Sequence, residues 1–341
     1  MIAATVSPPT SVVPLYSMRK LEHLLGCERG EMARLAERAG AYYKPFDLRR
    51  GGEGGKWRHI DNPGGDLKVL QRRIQKRILN PIVLPDCMFG AVPGRSVLMN
   101  ARVHLRQPVV VTMDLRNCFP RIGHPVIFGV FKGVLQCSED IASLLTRLTT
   151  YQGRLPQGAP SSPALCNLSL LPLVGDVLQI AADRGLRATF FVDDTTLSGP
   201  AAEDAIDAVA RAVMAHGHAI GRKKTRVMRA NERQMVTGTV VNRHPAVLRE
   251  LRQEIRYEIL ELADMQEVPA YELQRIRGRI AHVKATWRLH GEDLEQFADR
   301  LLPEVGVPGE KPRTRETRPC THVRRHRFKV RPSSRTPVAT T

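Results

Sequence analysis

Phe190-Phe191-Val192-Asp193-Asp194-Thr195-Thr196-Leu197 sets two adjacent carboxylates between two strand-forming runs. Aromatic and β-branched residues on either side predict two β-strands with the acidic pair at the turn that joins them. Like charges so placed repel one another among apolar neighbours, and cations would remove that cost. Mg²⁺ favours carboxylate oxygens, and two such ions about 3.5–4 Å apart can clamp the attacking and leaving oxygens of a phosphoryl transfer. A solvated Asp-Asp hairpin fits the same letters, so other segments must discriminate.

Val109-Val110-Val111-Thr112-Met113-Asp114-Leu115 is a second apolar strand, and it delivers a lone carboxylate at its end. A strand this apolar reads as buried on both faces, where an Asp needs a partner or caps the next element. Between the two acidic strands lies Arg154-Leu155-Pro156-Gln157-Gly158-Ala159-Pro160-Ser161-Ser162-Pro163, opening an apolar helix expected from Ala164 to about Ala181. Its Pro, Gly and Ser crowd the first helical turn, where free backbone N–H groups can meet phosphate. One Asp, a Gln-Gly-Pro loop with its helix, and an Asp-Asp hairpin form a far rarer constellation than any one of them.

These motifs resemble those of reverse transcriptases over roughly residues 18–290. Met113-Asp114-Leu115 with Phe119 resembles the first carboxylate motif of that family, Leu155–Pro163 its Leu-Pro-Gln-Gly motif, and Phe191-Val192-Asp193-Asp194 its Tyr-x-Asp-Asp motif with Phe for Tyr. Gly217–Ile220 with Lys224-Thr225, then Gln234–Gly238 with Val241-Asn242, follow in the family's order; Gly221 stands where Asn is frequent. Asn100-Ala101-Arg102-Val103-His104 and Val236-Thr237-Gly238 are similar to elements of the bacterial retron type. Group II intron-like and other defence-associated reverse transcriptases share parts of them, and an RNA-binding protein that has lost catalysis is a further reading.

The resemblance implies an α+β right-hand polymerase with fingers, an antiparallel palm and a helical thumb. Its expected divisions are a loose N-terminus (1–17), fingers with N-terminal helices (18–108), palm (109–245, with part of the fingers inserted at about 123–155), thumb (246–303) and a disordered basic tail (304–341). It implies two Mg²⁺ held by Asp114, Asp193, Asp194 and the backbone of Leu115. Phe119 would lie under the ribose and exclude a 2′-OH, or else be an ordinary core residue. Gln157 and Gly158 would meet the nucleotide; Arg58, with Lys56 or Arg50, would pair with triphosphate oxygens. Lys224 would protonate the pyrophosphate, although Arg222-Lys223-Lys224 with Arg226 also reads as a surface patch. His104, with no second ligand at metal spacing, reads as structural. The implied partners are a structured RNA template and primer, dNTPs, an RNA–DNA hybrid and a separate effector protein, with antiphage defence as the setting.

Charge agrees: the 341 residues carry a formal net charge of +18, pointing to a polyanionic partner. From Lys311 to Thr341 ten Lys/Arg face one acid, Glu316, so half of the excess sits in a Pro- and Thr-rich segment without apolar periodicity. Six cysteines without a Cys-x-x-Cys pair predict neither zinc nor disulfides and a reducing, cytoplasmic setting. No run of about 18 apolar residues exists to cross a membrane.

Other segments are read from pattern. Met18–Leu25 and Glu28–Ala39 are expected as short helices, and Tyr42–Leu48 with Lys56–Ile60 as a hairpin with a Gly-rich tip. The tip lacks P-loop spacing. Asp66–Leu79 is expected as a basic amphipathic helix, Ala201–Gly217 as a helix with a core stripe, and Val247–Leu302 as three helices.

Overall fold

A computed structural model describes residues 14–50 and 56–303. In chain order the helices and strands are α1 (Met18–Leu25), α2 (Glu31–Glu37), β1 (Tyr43–Arg50), β2 (Lys56–Pro63), α3 (Gly65–Ile74), α4 (Val97–Val103), β3 (Val109–Asp114), α5 (Cys118–Arg121), α6 (His124–Gly129) and α7 (Glu139–Thr149). They continue with α8 (Ser162–Ser169), α9 (Leu171–Ala182), β4 (Arg187–Phe191), β5 (Asp194–Ser198), α10 (Ile206–Ala215), β6 (Arg226–Arg229), β7 (Met235–Val236), β8 (Thr239–Val240), β9 (Ala246–Val247), α11 (Arg249–Ala263), α12 (Ala270–Thr286) and α13 (Arg288–Leu301).

The Val-rich β3 lies inside a four-stranded antiparallel sheet of order β4-β5-β3-β6. Its Val110 and Val111 are fully buried, as the unbroken apolar run predicts. α4 and α9 pack on β4, and α10 packs on α9. The main core runs from Leu15 to Val213, with Phe131, Ile127, Leu145 and Leu148 fully enclosed. β1 and β2 form a separate hairpin, and β7-β8-β9 a small sheet. The last three helices enclose a core of their own, including Ile255, Ile259, Ile276, Ile280, Val283 and Leu294.

Several expected elements shift. The apolar helix expected over 164–181 is two helices, α8 and α9, meeting at Leu170 with a 53° bend. Pro172 lies in the first turn of α9, where its missing N–H is harmless, and it would break a helix continued through that point. Among the described residues no single helix is long and apolar enough to cross a membrane. α2 is shorter than expected, and a 3₁₀ turn at Ala39–Tyr42 leads into β1. α10 starts at Ile206, because residues 201–205 form turns after Gly199-Pro200. The basic helix over 66–79 is α3 followed by a π-helical turn, Gln75–Leu79. Two of its arginines cap α1: Arg73 Nη1 donates to the carbonyls of Leu25 (3.3 Å) and Gly26 (2.9 Å), and Arg77 Nη1 to that of Leu24 (2.7 Å). The Gly-rich tip, the N-terminal residues 1–13 and the basic tail lie outside the described residues.

His104 holds α4 to the sheet. The ring is fully buried, with Nδ1 at 2.7 Å from Ser198 Oγ on β5 and Nε2 at 2.7 Å from Thr189 Oγ1 on β4. In the neutral ring one nitrogen donates and the other accepts, and the hydroxyls take the complementary roles. From the middle of α4, Asn100 Nδ2 donates to Thr237 Oγ1 at 3.4 Å, so the two retron-like elements touch. Burial, with the charge of Arg187 adding to it, pushes the His104 ring down to about 3. The unfolded ring takes up its proton near 6.5, so the contribution is whole above that pH. Stability is then lost on acidification, by about 1.4 kcal/mol per pH unit down to the folded value. Urea unfolding near pH 7.5 and pH 5.5 should show this loss in the native chain and a shallower one in His104→Gln.

Candidate active site

The β3–β5 register sets Asp114 directly opposite Asp194. Asp193 occupies the β4–β5 turn, and its carbonyl accepts from the Leu115 N–H at 2.9 Å. Val192, the other turn residue, has φ +57°, a strained conformation for a β-branched side chain. The turn is held from behind: Phe89 N–H donates to the Phe190 carbonyl (2.7 Å), Phe190 N–H to that of Cys87 (2.8 Å), and buried Asn167 of α8 donates to the Gly90 carbonyl (2.7 Å). Burial raises the Asp193 carboxyl above its ordinary range, with the charge of Asp114 adding to the shift; Arg58 and Lys224 act against it. Asp194 is pushed up to about 6, first by burial and then by the charges of Asp193 and Asp114. Three carboxylates thus share one partly buried space in which negative charge is undercompensated.

Lys224 is the cation that the sequence placed between two readings. Its Nζ donates to Asp114 Oδ1 at 2.7 Å. A cavity of about 580 Å³ opens beside this pair, lined by Arg116, Asn117, Arg222 and Lys223 among others. Arg226 lines an adjoining cleft with Asp114, Asp194 and Lys223. The basic cluster therefore faces the carboxylates. Gly221, in the place of the frequent Asn, donates its N–H to the Asp114 carbonyl (2.8 Å), and a Cβ there would stand 3.2 Å from Asp114 Oδ2. A side chain at 221 would crowd the carboxylate.

The expected hairpin of β1 and β2 pairs Arg50 with Lys56 at its outer end and Tyr43 with Pro63 at its base. The side chains of Arg50 and Lys56 lie outside the described residues. Arg58 meets Gln157: with the amide turned to satisfy both groups, Gln157 Oε1 accepts from Arg58 Nη2 at 2.9 Å and from its Nε. Gly158 follows at φ +125°, and a Cβ there would lie 2.7 Å from Ile60 Cγ2, so the loop can approach β2 only with glycine. Leu115 and Phe119 are both buried in the main core, 5% and 8% exposed. Phe119 sits on α5, which packs on α8 with Cys118 Sγ 3.5 Å from Cys166 Sγ.

Arg116, Asn167, His59 and Asp61 enter this region without having been singled out in the sequence. Each is a common residue in an unremarkable context, and only long-range pairing brings it there. The signal that could have found Asp61 is its place three residues after Arg58 at the end of a strand.

Among the described residues no three His, Cys, Asp or Glu side chains stand ready as a metal cage. Asp114 turns to Lys224 instead. The donor set nevertheless fits a hard dication, because its hard carboxylate oxygens carry charge that burial makes costly, as the raised Asp193 and Asp194 show.

Comparison with known proteins gives the family. The family described as reverse transcriptase (RNA-dependent DNA polymerase) matches residues 50–257. The retron Se72 reverse transcriptase of Salmonella heidelberg is 26% identical over 315 residues, covering 87% of this chain and 82% of that protein. The retron Ec86 reverse transcriptase of Escherichia coli is 30% identical over 268 residues, covering 77% and 82%. A foamy viral protease-reverse transcriptase in complex with double-stranded DNA is a distant structural neighbour: TM-score 0.42, 15% identity, 88% of this chain and 52% of that one. This chain belongs to the reverse transcriptase family, as an RNA-directed DNA polymerase. Within it, the match is to the retron type.

Gly158→Ala should strain the loop twice, through its positive φ and through the contact with Ile60. A loss of about 1–3 kcal/mol in unfolding free energy is expected. Adding Ile60→Ala should recover only the steric part.

Proposed function

We propose that this chain copies a structured RNA into single-stranded DNA by two-metal phosphoryl transfer, yielding an RNA-linked DNA that serves antiphage defence. The observation that carries the reading is the register placing Asp114 opposite Asp194, with Asp193 at the adjoining turn. The likeness to retron reverse transcriptases favours a retron setting for this activity, and the net charge of +18 favours a polyanionic partner; a cytoplasmic location is part of the same reading. The same reading assigns fingers to 18–108, palm to 109–245 and thumb to 246–303, with a separate effector protein as partner.

Asp114, Asp193 and Asp194 would hold Mg²⁺, with the Leu115 backbone as a further ligand. Bound there, Mg²⁺ supplies a lowered pKa for the primer hydroxyl and neutralises charge on the triphosphate. The chain's own residues do the rest. Arg58 and Gln157, hydrogen-bonded to each other, orient the incoming dNTP together, and Gly158 lets their loop close on β2. Lys224, already beside Asp114, gives its proton to the departing pyrophosphate. Phe119 fills the space that a ribose 2′-OH would need.

Asp193→Asn should abolish Mg²⁺-dependent primer extension, a fall of three orders of magnitude or about 4 kcal/mol in the barrier, while circular dichroism and melting stay near native. Extension close to native would refute the carboxylate assignment. Phe119→Val should let rNTPs compete, read as the ratio of dNTP to rNTP incorporation efficiency on an RNA template. An unchanged ratio would make Phe119 a core residue only.

A further inference from the structure

Asp61 is a carboxylate with an unusual position. It is 2% exposed, near the base of the β1–β2 hairpin, and outside the cluster formed by Asp114, Asp193 and Asp194. Burying an anion this deeply is costly unless its charge and lone pairs are met. His59 Nε2 lies 3.3 Å and Arg154 Nη2 3.7 Å from Asp61 Oδ1, ion-pair distances without hydrogen-bond geometry. His59 also reaches Asp47, with Nδ1 2.9 Å from Oδ1. The other Asp61 oxygen, Oδ2, accepts from the backbone N–H of Gln157 at 3.3 Å. In return the Asp61 N–H donates to the Gln157 carbonyl at 2.8 Å.

Three residues of β2 therefore grip the 157–158 segment. Arg58 takes the side-chain amide of Gln157, Asp61 takes its backbone N–H and C=O, and Ile60 leaves space for nothing larger than Gly158. Arg154, three residues upstream on the same loop, meets Asp61 as well. The hairpin base is fixed in turn, since Tyr43 stacks on Tyr151 at 4.1 Å between ring centroids and accepts from Gln71 Nε2 at 3.0 Å.

We infer that Asp61 is a positioning residue for the incoming nucleotide, acting through Gln157: it fastens the 154–158 loop to the hairpin strand that carries Arg58, so both nucleotide contacts keep one mutual geometry. The inference rests on Gln157 and Arg58 being nucleotide contacts, as proposed above. Asp61 itself touches no substrate. Its hydrogen bond joins the Gln157 N–H to a carboxylate in a partly buried setting, and a bond to a charged group costs more to lose than a neutral one.

The test is single-nucleotide incorporation by the full chain on an RNA template with an annealed DNA primer, at varied dNTP. Asp61→Ala is expected to raise the KM for dNTP about tenfold or more, the effect of losing one hydrogen bond to a charged group, with kcat and primer–template affinity near native. Asp61→Asn keeps an acceptor for the Gln157 N–H and should recover most of that loss. In a Gln157→Ala background, Asp61→Ala should add little, because residues acting as one unit are not additive. Should Asp61→Ala fail to fold, Asp61→Ser, polar but one bond too short to reach the N–H, takes its place with the same expectation. A fall in kcat at unchanged KM, Asn behaving no better than Ala, or fully additive effects would each overturn the inference. If Gln157→Ala raises KM and Asp61→Ala does not, only the role of Asp61 is wrong. If Gln157→Ala leaves KM unchanged, the nucleotide reading fails and the inference falls with it.

Discussion

Pairing β3 with β5 so that Asp114 stands opposite Asp194 forces three carboxylates into a partly buried space, and much of the surrounding structure answers that repulsion. Lys224 crosses from the 222–224 turn to Asp114, and Arg58 adds positive potential from the hairpin side. The β4–β5 turn tolerates a strained Val192, which persists because Cys87, Phe89, Gly90 and Asn167 fix the segment behind it. Further along β4 and β5, His104 clamps both strands to α4 with two hydroxyl partners. Electrostatic cost is concentrated at these carboxylates, the pattern of a functional site, and stability is recovered by the large apolar core on which the sheet rests.

A second constraint joins the 154–158 loop to the β1–β2 hairpin. β2 is an ordinary strand by composition, but its Arg58, Ile60 and Asp61 all meet the 157–158 segment. Loop and hairpin therefore share one reference frame. The retron-like elements are joined in a comparable way, Asn100 touching Thr237 while His104 holds β4 and β5. The two short motifs act on one helix, α4, between the sheet and the β7–β8 turn.

Much of this was legible in the sequence, because the informative residues carry their signal locally. Asp114, Asp193 and Asp194 end or join strands of strong β-propensity, and the three helices after Val247 show their apolar spacing plainly. His104 was correctly read as structural, since no second ligand stood at metal spacing. What stayed hidden depends on tertiary geometry. The bend at Leu170 comes from Pro172 within an otherwise continuous apolar run. Arg73 and Arg77 look like solvated charges until α1 ends beside them. Asp61 looks like any strand-end acid until residue 157 folds over it. Phe119 is a buried aromatic of the main core.

In the proposed mechanism the carboxylates gathered by the β3–β5 register work only with a dication. Incorporation of one dNTP opposite an RNA template, followed as Mg²⁺ is titrated into chelator-treated full-length protein, tests it most directly. No incorporation is expected in chelator, followed by a saturable rise with Mg²⁺ and none with Ca²⁺ alone, whose looser coordination and longer bonds fit the same oxygens poorly for transfer. Undiminished incorporation in excess chelator would contradict the claim.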